Sequence, residues 1–136
     1  MKAIIAVDLD GFLTTYGPTG RLRLPDFLYF LALMVYRPKP NRENIIRVNS
    51  FKDAGYEVVI LSARPEITRS ITKRWLRKYD IKVDDVVLVG PGNVREKKLT
   101  ALKEREINYY FGDSGRTVNY LSKKRSNCLQ DLDKRR

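Results

Sequence analysis

Four short apolar runs, rich in β-branched residues, place the strongest constraint on what this chain can fold into. They lie at 3–7, 57–61, 86–89 and 108–111. Apolar runs of this length without polar alternation are typical of parallel strands that are covered on both faces. The chain therefore needs helices on both sides of a sheet, and the intervals between the runs must supply them.

Helical patterns fill these intervals at 43–54, 67–79, 95–105 and 117–124. The second segment repeats an apolar residue every four positions: Ile67, Ile71, Trp75 and Tyr79. This spacing lines up one face of a helix. The alternation of strands and helices predicts an α/β protein, with a three-layer, Rossmann-like parallel sheet flanked by helices.

The long interval at 12–42 predicts a small helical insertion after the first strand. It contains an apolar helix at 25–36, in which Pro25 suits the first turn and Pro38 follows the end. Apolar residues cover all sides of this helix, so packing on one face cannot satisfy it. Two interpretations of this helix stay open. It packs in the core or against a second subunit, which would allow a homodimer, or it contacts a membrane surface or the substrate.

We predict one domain over 1–125 and a basic, flexible tail at 126–136. A membrane-spanning helix needs about 20 apolar residues, whereas the longest apolar run, at 27–36, has ten. The first residues also lack the apolar core of a signal peptide. We therefore expect a cytoplasmic protein.

Cysteine and histidine usage excludes several kinds of site. The chain has one cysteine, Cys128, and no histidine. An intrachain disulfide, a Ser-His-Asp or Cys-His catalytic group and a histidine-based zinc site are therefore impossible within it. A bound metal would have to be a hard cation held by oxygen atoms, and Mg²⁺ fits best.

The charge balance points to anionic partners. Lysine and arginine number 27 against 16 acidic residues, which gives a net charge of +11. This surplus favours nucleic acids, nucleotides or phosphorylated surfaces. A basic surface that only contacts solvent is the alternative.

Polar residues follow three of the predicted strands. The first strand leads into Asp8-Leu9-Asp10-Gly11, the second into Ser62-Ala63-Arg64, and the fourth into Gly112-Asp113-Ser114. The carboxyl ends of parallel strands meet at one edge of a sheet, where ligands bind in open α/β folds. Each residue alone could be a turn residue, but together they predict a functional site.

These motifs resemble those of the haloacid dehalogenase superfamily of phosphohydrolases. Residues 4–14 resemble its first motif, an apolar strand followed by DxDGxxT, and Ser62 resembles its second motif. Lys98 resembles the third motif, with Lys97 as a substitute, and residues 111–114 resemble the fourth. The resemblance covers about residues 2–125 and implies a capless or minimally capped phosphatase.

The resemblance implies a role for each catalytic residue. Asp8 would be the nucleophile that forms an aspartyl phosphate. Asp10 would protonate the leaving oxygen and then deprotonate the attacking water. Ser62 would donate a hydrogen bond to the phosphoryl group, and Lys98 would neutralise charge beside Asp8. Gly11 would permit the tight turn that brings backbone N–H groups to the phosphoryl group.

The resemblance also implies a Mg²⁺ site formed by the Asp8 carboxylate, the Asp10 backbone carbonyl and the Asp113 carboxylate. The family often has a second acidic residue three or four positions after Asp113. This chain has Thr117 and Val118 there. Ser114 or a water molecule could complete the metal shell.

Features around the second motif bear on the substrate. Residues 12–42 are too short for a large cap domain, so the site would be open. An open site could admit a nucleic-acid end or a phosphoprotein. Alternatively, a second subunit could cover it. The stretch at 62–65, with Thr72 and residues 75–79, is similar, more loosely, to the phosphatase domain of phage-type polynucleotide kinase/phosphatases. Gly11, Ser62, Ala63 and Arg64 are predicted to bind substrate. Arg64 could instead pair with a nearby carboxylate.

The second predicted helix is strongly basic, through Arg69, Lys73, Arg74, Arg77 and Lys78. These side chains could follow a phosphate backbone or form a solvated face. The function predicted from the sequence is a Mg²⁺-dependent phosphomonoesterase that acts on a nucleotide or a nucleic-acid 3′-phosphate end. The alternatives are a basic nucleic-acid-binding module with little catalysis and a phosphotransferase that uses the same aspartyl phosphate.

Overall fold

The computed structural model describes residues 3–14, 28, 38–112 and 128–130. These residues form a five-stranded sheet in which every neighbouring pair is parallel, in the order β3-β2-β1-β4-β5. The strands are β1 (Ile4–Val7), β2 (Glu57–Ser62), β3 (Asp85–Leu88), β4 (Tyr109–Gly112) and β5 (Cys128–Gln130). The first four confirm the strands predicted from the apolar runs, with each boundary within one residue.

Three α-helices connect the first four strands in the described residues: α1 (Arg42–Asp53), α2 (Arg69–Lys78) and α3 (Val94–Glu104). A short 3₁₀ helix (Glu66–Thr68) leads into α2. Asn41 caps α1, because its side-chain oxygen accepts a hydrogen bond from the Asn44 backbone N–H at 3.3 Å. None of the described helices is long and apolar enough to cross a membrane.

The alternation of side chains along each strand divides the core between the two faces of the sheet. On one face, α1 and α2 pack against β1 and β2 through Val48, Trp75, Ile5, Val7 and Ile60. On the other face, α3 packs against the same strands through Ala101, Leu102, Ala6, Val59 and Leu61. The predicted three-layer α/β architecture is therefore confirmed.

The two ends of the insertion lie next to each other. Phe12 and Leu13 are fully buried, and the Leu13 carbonyl accepts a hydrogen bond from the Asn41 backbone N–H at 2.7 Å. Thr14 forms an antiparallel bridge with Pro40. Of the predicted apolar helix at 25–36, Leu28 is described and is helical, and the rest lies outside the described residues.

The sequence did not predict β5. The expectation of a flexible tail at 126–136 is wrong at Cys128–Gln130, which pairs with β4 in parallel register. Three residues are too few for a periodic apolar pattern, so the strand is specified by pairing with an existing sheet edge. The rest of that tail and the predicted helix at 117–124 lie outside the described residues.

Candidate active site

The turn after β1 is organised by one carbonyl group. The Leu9 carbonyl accepts hydrogen bonds from three backbone N–H groups, of Phe12, Leu13 and Thr14, at 3.3, 2.9 and 3.0 Å. Gly11 has a φ of 84°, in the left-handed region that favours glycine. Its N–H donates to the Thr14 hydroxyl oxygen at 3.1 Å. The glycine and threonine of the DxDGxxT motif thus hold the turn that carries both aspartates.

Asp8 lies at the end of the central strand, beside a buried lysine. Its Oδ1 accepts the Leu9 backbone N–H at 2.9 Å and lies 3.4 Å from Lys98 Nζ, with side-chain exposures of 13% and 5%. Burial alone would lower the pKa of Lys98, but the Asp8 carboxylate and Tyr110 together outweigh the effect of burial, and the pKa lies above its ordinary value. Lys98 is therefore protonated at neutral pH.

The two candidate lysines of the third motif lie in different places. Lys97 is exposed, and its Nζ donates a hydrogen bond to the Pro91 carbonyl at 3.0 Å. Lys98 starts from the buried side of α3 and reaches Asp8. The structure thus places Lys98, rather than Lys97, beside the predicted nucleophile.

Tyr110 belongs to this site and was missed from the sequence, where it is only an apolar residue of a strand. Its buried hydroxyl oxygen accepts a hydrogen bond from Lys98 Nζ at 3.1 Å, and Nζ lies 5.5 Å from its ring centroid. Gly112 follows two residues later on the same face of β4. A Cβ at Gly112 would lie 2.8 Å from the Tyr110 hydroxyl oxygen, so only glycine leaves room for this ring position.

We expect Gly112→Ala to displace the Tyr110 ring and, with it, the partner of Lys98. Such overpacking costs about 1–3 kcal/mol of folding free energy, and we expect any turnover at this site to fall by about tenfold or more. Urea denaturation and turnover measurements test both effects. Tyr110→Phe should share part of the loss, so the double variant should lose less than the sum of the two single variants. Wild-type activity in Gly112→Ala would contradict this coupling.

Arg64 holds the second aspartate of the motif. Its Nε and Nη2 donate to the two carboxylate oxygens of Asp10 at 2.9 and 2.7 Å, and its Nη1 donates to the Thr72 hydroxyl at 3.0 Å. The Arg64 side chain is 1% exposed, whereas that of Asp10 is 30% exposed. Such a two-pronged pair fixes the orientation of the carboxylate.

This placement favours one of the two roles considered for Arg64. Pairing with a nearby carboxylate is observed, whereas contact with a substrate phosphate stays a prediction. A phosphate could reach this buried guanidinium only by displacing partners that it already has. Thr72 on α2 links that helix to the Arg64–Asp10 pair.

Ser62 ends β2, next to the end of β1 in the parallel register. It is buried, and its Oγ accepts a hydrogen bond from the Arg64 backbone N–H at 3.2 Å. That bond uses the oxygen as an acceptor, so the hydroxyl proton can still be donated to a ligand. Ala63, the other predicted substrate contact at this edge, is half-buried.

The proposed metal site is described only in part. Gly112 ends β4 beside β1, and Asp113, Ser114, Thr117 and Val118 lie outside the described residues. Among the residues that are described, no group of three or more acidic or cysteine side chains could hold a metal. The predicted donors there, the Asp8 carboxylate and the Asp10 carbonyl, are oxygen atoms, as Mg²⁺ prefers.

Similar solved structures share this arrangement of strands and helices. A chain in a structure of the Pnkp1/Rnl/Hen1 RNA repair complex matches 96% of the present chain at 24% identity, with a TM-score of 0.76. The HAD domain of the effector protein Lem4 from Legionella pneumophila, an inactive mutant, matches 96% at 12% identity, with a TM-score of 0.61. The present chain therefore shares the fold of that Lem4 domain.

The extent of these matches differs. The present chain covers 84% of the Lem4 haloacid dehalogenase domain. It spans less than half of the RNA repair chains, 42% in one structure and 45% in a second, which has a TM-score of 0.72 at 24% identity. No protein-family model and no curated protein sequence matches the chain.

Proposed function

We propose that this chain is a Mg²⁺-dependent phosphomonoesterase that acts through an aspartyl phosphate on Asp8. The observation that carries the proposal is the pair of Asp8 and Lys98 at the end of the central strand. A shielded carboxylate beside a protonated lysine can attack a phosphate, because the lysine offsets the negative charge that gathers there. The haloacid dehalogenase fold, seen at a TM-score of 0.61 with the Lem4 domain, supports the same reaction class.

The reaction would proceed in two steps. An Asp8 carboxylate oxygen bonds to phosphorus, the bond from phosphorus to the substrate oxygen breaks, and Asp10 gives that oxygen a proton. Water then attacks the aspartyl phosphate, Asp10 takes the proton of that water, and inorganic phosphate leaves with Asp8 restored. Arg64 would hold the Asp10 carboxylate in the orientation that the second transfer needs, in which it takes the proton of the water.

The Mg²⁺ site would consist of the Asp8 carboxylate, the Asp10 backbone carbonyl and the Asp113 carboxylate. When bound, the ion would supply positive charge that lets an anionic carboxylate approach an anionic phosphate. The bidentate contact with Arg64 engages the Asp10 side chain, which leaves its backbone carbonyl as the proposed ligand. Ser62 would donate its hydroxyl proton to a phosphoryl oxygen.

For the substrate we propose a nucleotide or the 3′-phosphate end of a nucleic acid. The net charge of +11 favours an anionic substrate, and two of the similar structures come from an RNA repair complex. Between β2 and α3 the chain forms only α2, β3 and short connections. This interval contains no cap domain that would close the site against a large substrate.

Phosphate release from an aryl phosphate tests the reaction class, and we expect turnover that requires Mg²⁺. The assay compares purified wild type with and without Mg²⁺ and with Asp8→Asn prepared in the same way. Nucleotides and oligonucleotides that end in a 3′-phosphate then define the substrate. Turnover that is indifferent to chelation of Mg²⁺ would contradict the proposed metal dependence.

Two other functions predict different results in these assays. The absence of an acidic residue at Thr117 and Val118 favours a nucleic-acid-binding module with little catalysis, which predicts salt-sensitive binding without phosphate release. A phosphotransferase would use the same Asp8 intermediate but pass the phosphate to an acceptor other than water. Product analysis in the presence of added alcohols or nucleosides separates transfer from hydrolysis.

A further inference from the structure

Helix α2 differs in charge from the other described helices. It contains five basic residues and no acidic residue, whereas α1 and α3 each contain basic and acidic residues. Four of its basic side chains are exposed: Lys73, Arg74, Arg77 and Lys78. We call these four residues the α2 basic face.

The Glu66 carboxylate attracts Lys73 of the α2 basic face but forms its salt bridge with Arg69. None of its four residues forms a salt bridge with another described residue, whereas Arg69, the fifth basic residue of α2, pairs with Glu66 and donates to the Val86 carbonyl. Like charges four residues apart on a helix, as in Lys73 with Arg77, destabilise it. This repulsion costs the chain stability, and an anionic ligand would relieve it.

A groove adjoins this face. A cavity of about 260 Å³ lies between α2 and β3, with Lys73 and Arg77 among its lining and an apolar floor that includes Leu76 and Val86. The two carboxylates that also line it are engaged elsewhere. Asp84 accepts hydrogen bonds from Lys52, and Asp85 accepts one from Arg105.

We propose that the α2 basic face binds the phosphate backbone of a nucleic-acid strand whose terminal phosphate occupies the active site. The proposal rests on the phosphatase function proposed above. Thr72 on α2 contacts Arg64, which holds Asp10, so the face begins beside the site, and its four residues span about 8 Å along the axis of α2. Phosphates that repeat along a strand match cations that repeat along a helix, and the groove of about 260 Å³ has room for a planar base.

A membrane surface fits this face less well. Helices that lie on membranes expose large apolar residues beside their cations. The large apolar side chains of α2 that face the core, Trp75 and Leu76, are buried, and the exposed residues of α2 are all polar. Contacts to phosphates alone predict binding that depends strongly on salt and little on base sequence.

The test measures binding of a fluorescent single-stranded oligonucleotide with a 3′-phosphate by anisotropy over a range of salt concentrations. Asp8→Asn serves as the background, so that the ligand is not consumed. We expect Lys73→Glu/Arg77→Glu to raise Kd by about tenfold at 0.1 M salt. The slope of log affinity against log salt should fall by about 1.4, because each neutralised phosphate on a single strand contributes about 0.7.

The matched control is Arg95→Glu/Lys103→Glu on α3, which makes the same change in net charge at exposed positions. We expect it to change Kd by less than about twofold. An equal loss in both double variants would show an effect of net charge alone and overturn the proposal, as would wild-type binding by the α2 variant. If vesicles of anionic lipid displace the labelled oligonucleotide as well as unlabelled oligonucleotide does, the face would be assigned to membranes instead. Lys73→Gln/Arg77→Gln replaces the charge reversal if that variant does not fold.

The outcomes separate this surface from the proposed enzymatic function. Binding that depends on α2, without release of phosphate from an aryl phosphate or the oligonucleotide, would uphold the surface and remove the phosphatase. Mg²⁺-dependent turnover, with oligonucleotide binding that does not depend on α2, would uphold the phosphatase and remove the surface.

Discussion

Asp8→Asn is expected to lower kcat for phosphate release by about 10⁴-fold or more, which is the scale of loss when a catalytic nucleophile is removed. The amide cannot form an acyl phosphate as the carboxylate can, while its oxygen can still accept the Leu9 N–H that positions the side chain. The measurement is release of inorganic phosphate from an aryl phosphate by purified protein. Turnover near the wild-type rate in a folded variant would remove Asp8 as the nucleophile.

The variant also needs a stability control, because Asp8 is the carboxylate closest to the Lys98 ammonium in the described residues. A buried charge that loses its counter-ion typically costs about 3–5 kcal/mol. The hydrogen bond to Tyr110 remains and lessens this cost, so we expect a folded variant with a lower Tm. Asp8→Asn/Lys98→Met removes both charges, and it should recover stability without recovering activity. Recovery of both properties would contradict the assigned role of Asp8.

The part of the fold that was predictable from the sequence is the part with a repeating apolar pattern. Strands β1 to β4 each carry an apolar run that is typical of a sheet covered on both faces. Cys128–Gln130 adds only three residues to an edge, where pairing with β4 decides the structure. Sequence periodicity contains no information about such a strand.

The residues of the candidate site also fall into those that the sequence predicted and those that it did not. Asp8, Asp10 and Lys98 were predicted because the motifs that contain them resemble those of one family, and the structure brings Asp8 and Lys98 together. Tyr110, which accepts a hydrogen bond from Lys98, was not predicted as a site residue, because a tyrosine in the apolar run of β4 looks like an ordinary core residue. Its role depends on the packing of α3 against β4, as does the need for glycine at Gly112. Contacts between distant segments have no local signature.

Asp10→Ala is expected to destabilise the protein more than Arg64→Met does, although arginine is the larger side chain. Removal of the carboxylate takes the Asp10 charge away from a guanidinium of 1% exposure, and breaking a buried pair from this side costs about 3–5 kcal/mol. Removal of Arg64 instead leaves a carboxylate that is 30% exposed and can be hydrated. Urea denaturation of the two variants and wild type gives the comparison.

The double variant Asp10→Ala/Arg64→Met tests the reason for this order. If the cost arises from an unpaired buried charge, the double variant should be more stable than Asp10→Ala alone, because no charge is then left without a partner. Activity should follow a different order. Asp10→Ala loses the group that transfers the proton, whereas Arg64→Met retains a carboxylate with poorer orientation, so its kcat should fall less. If Asp10→Ala proves as stable as wild type, Asp10 does not neutralise Arg64, and the positioning role proposed for that arginine fails.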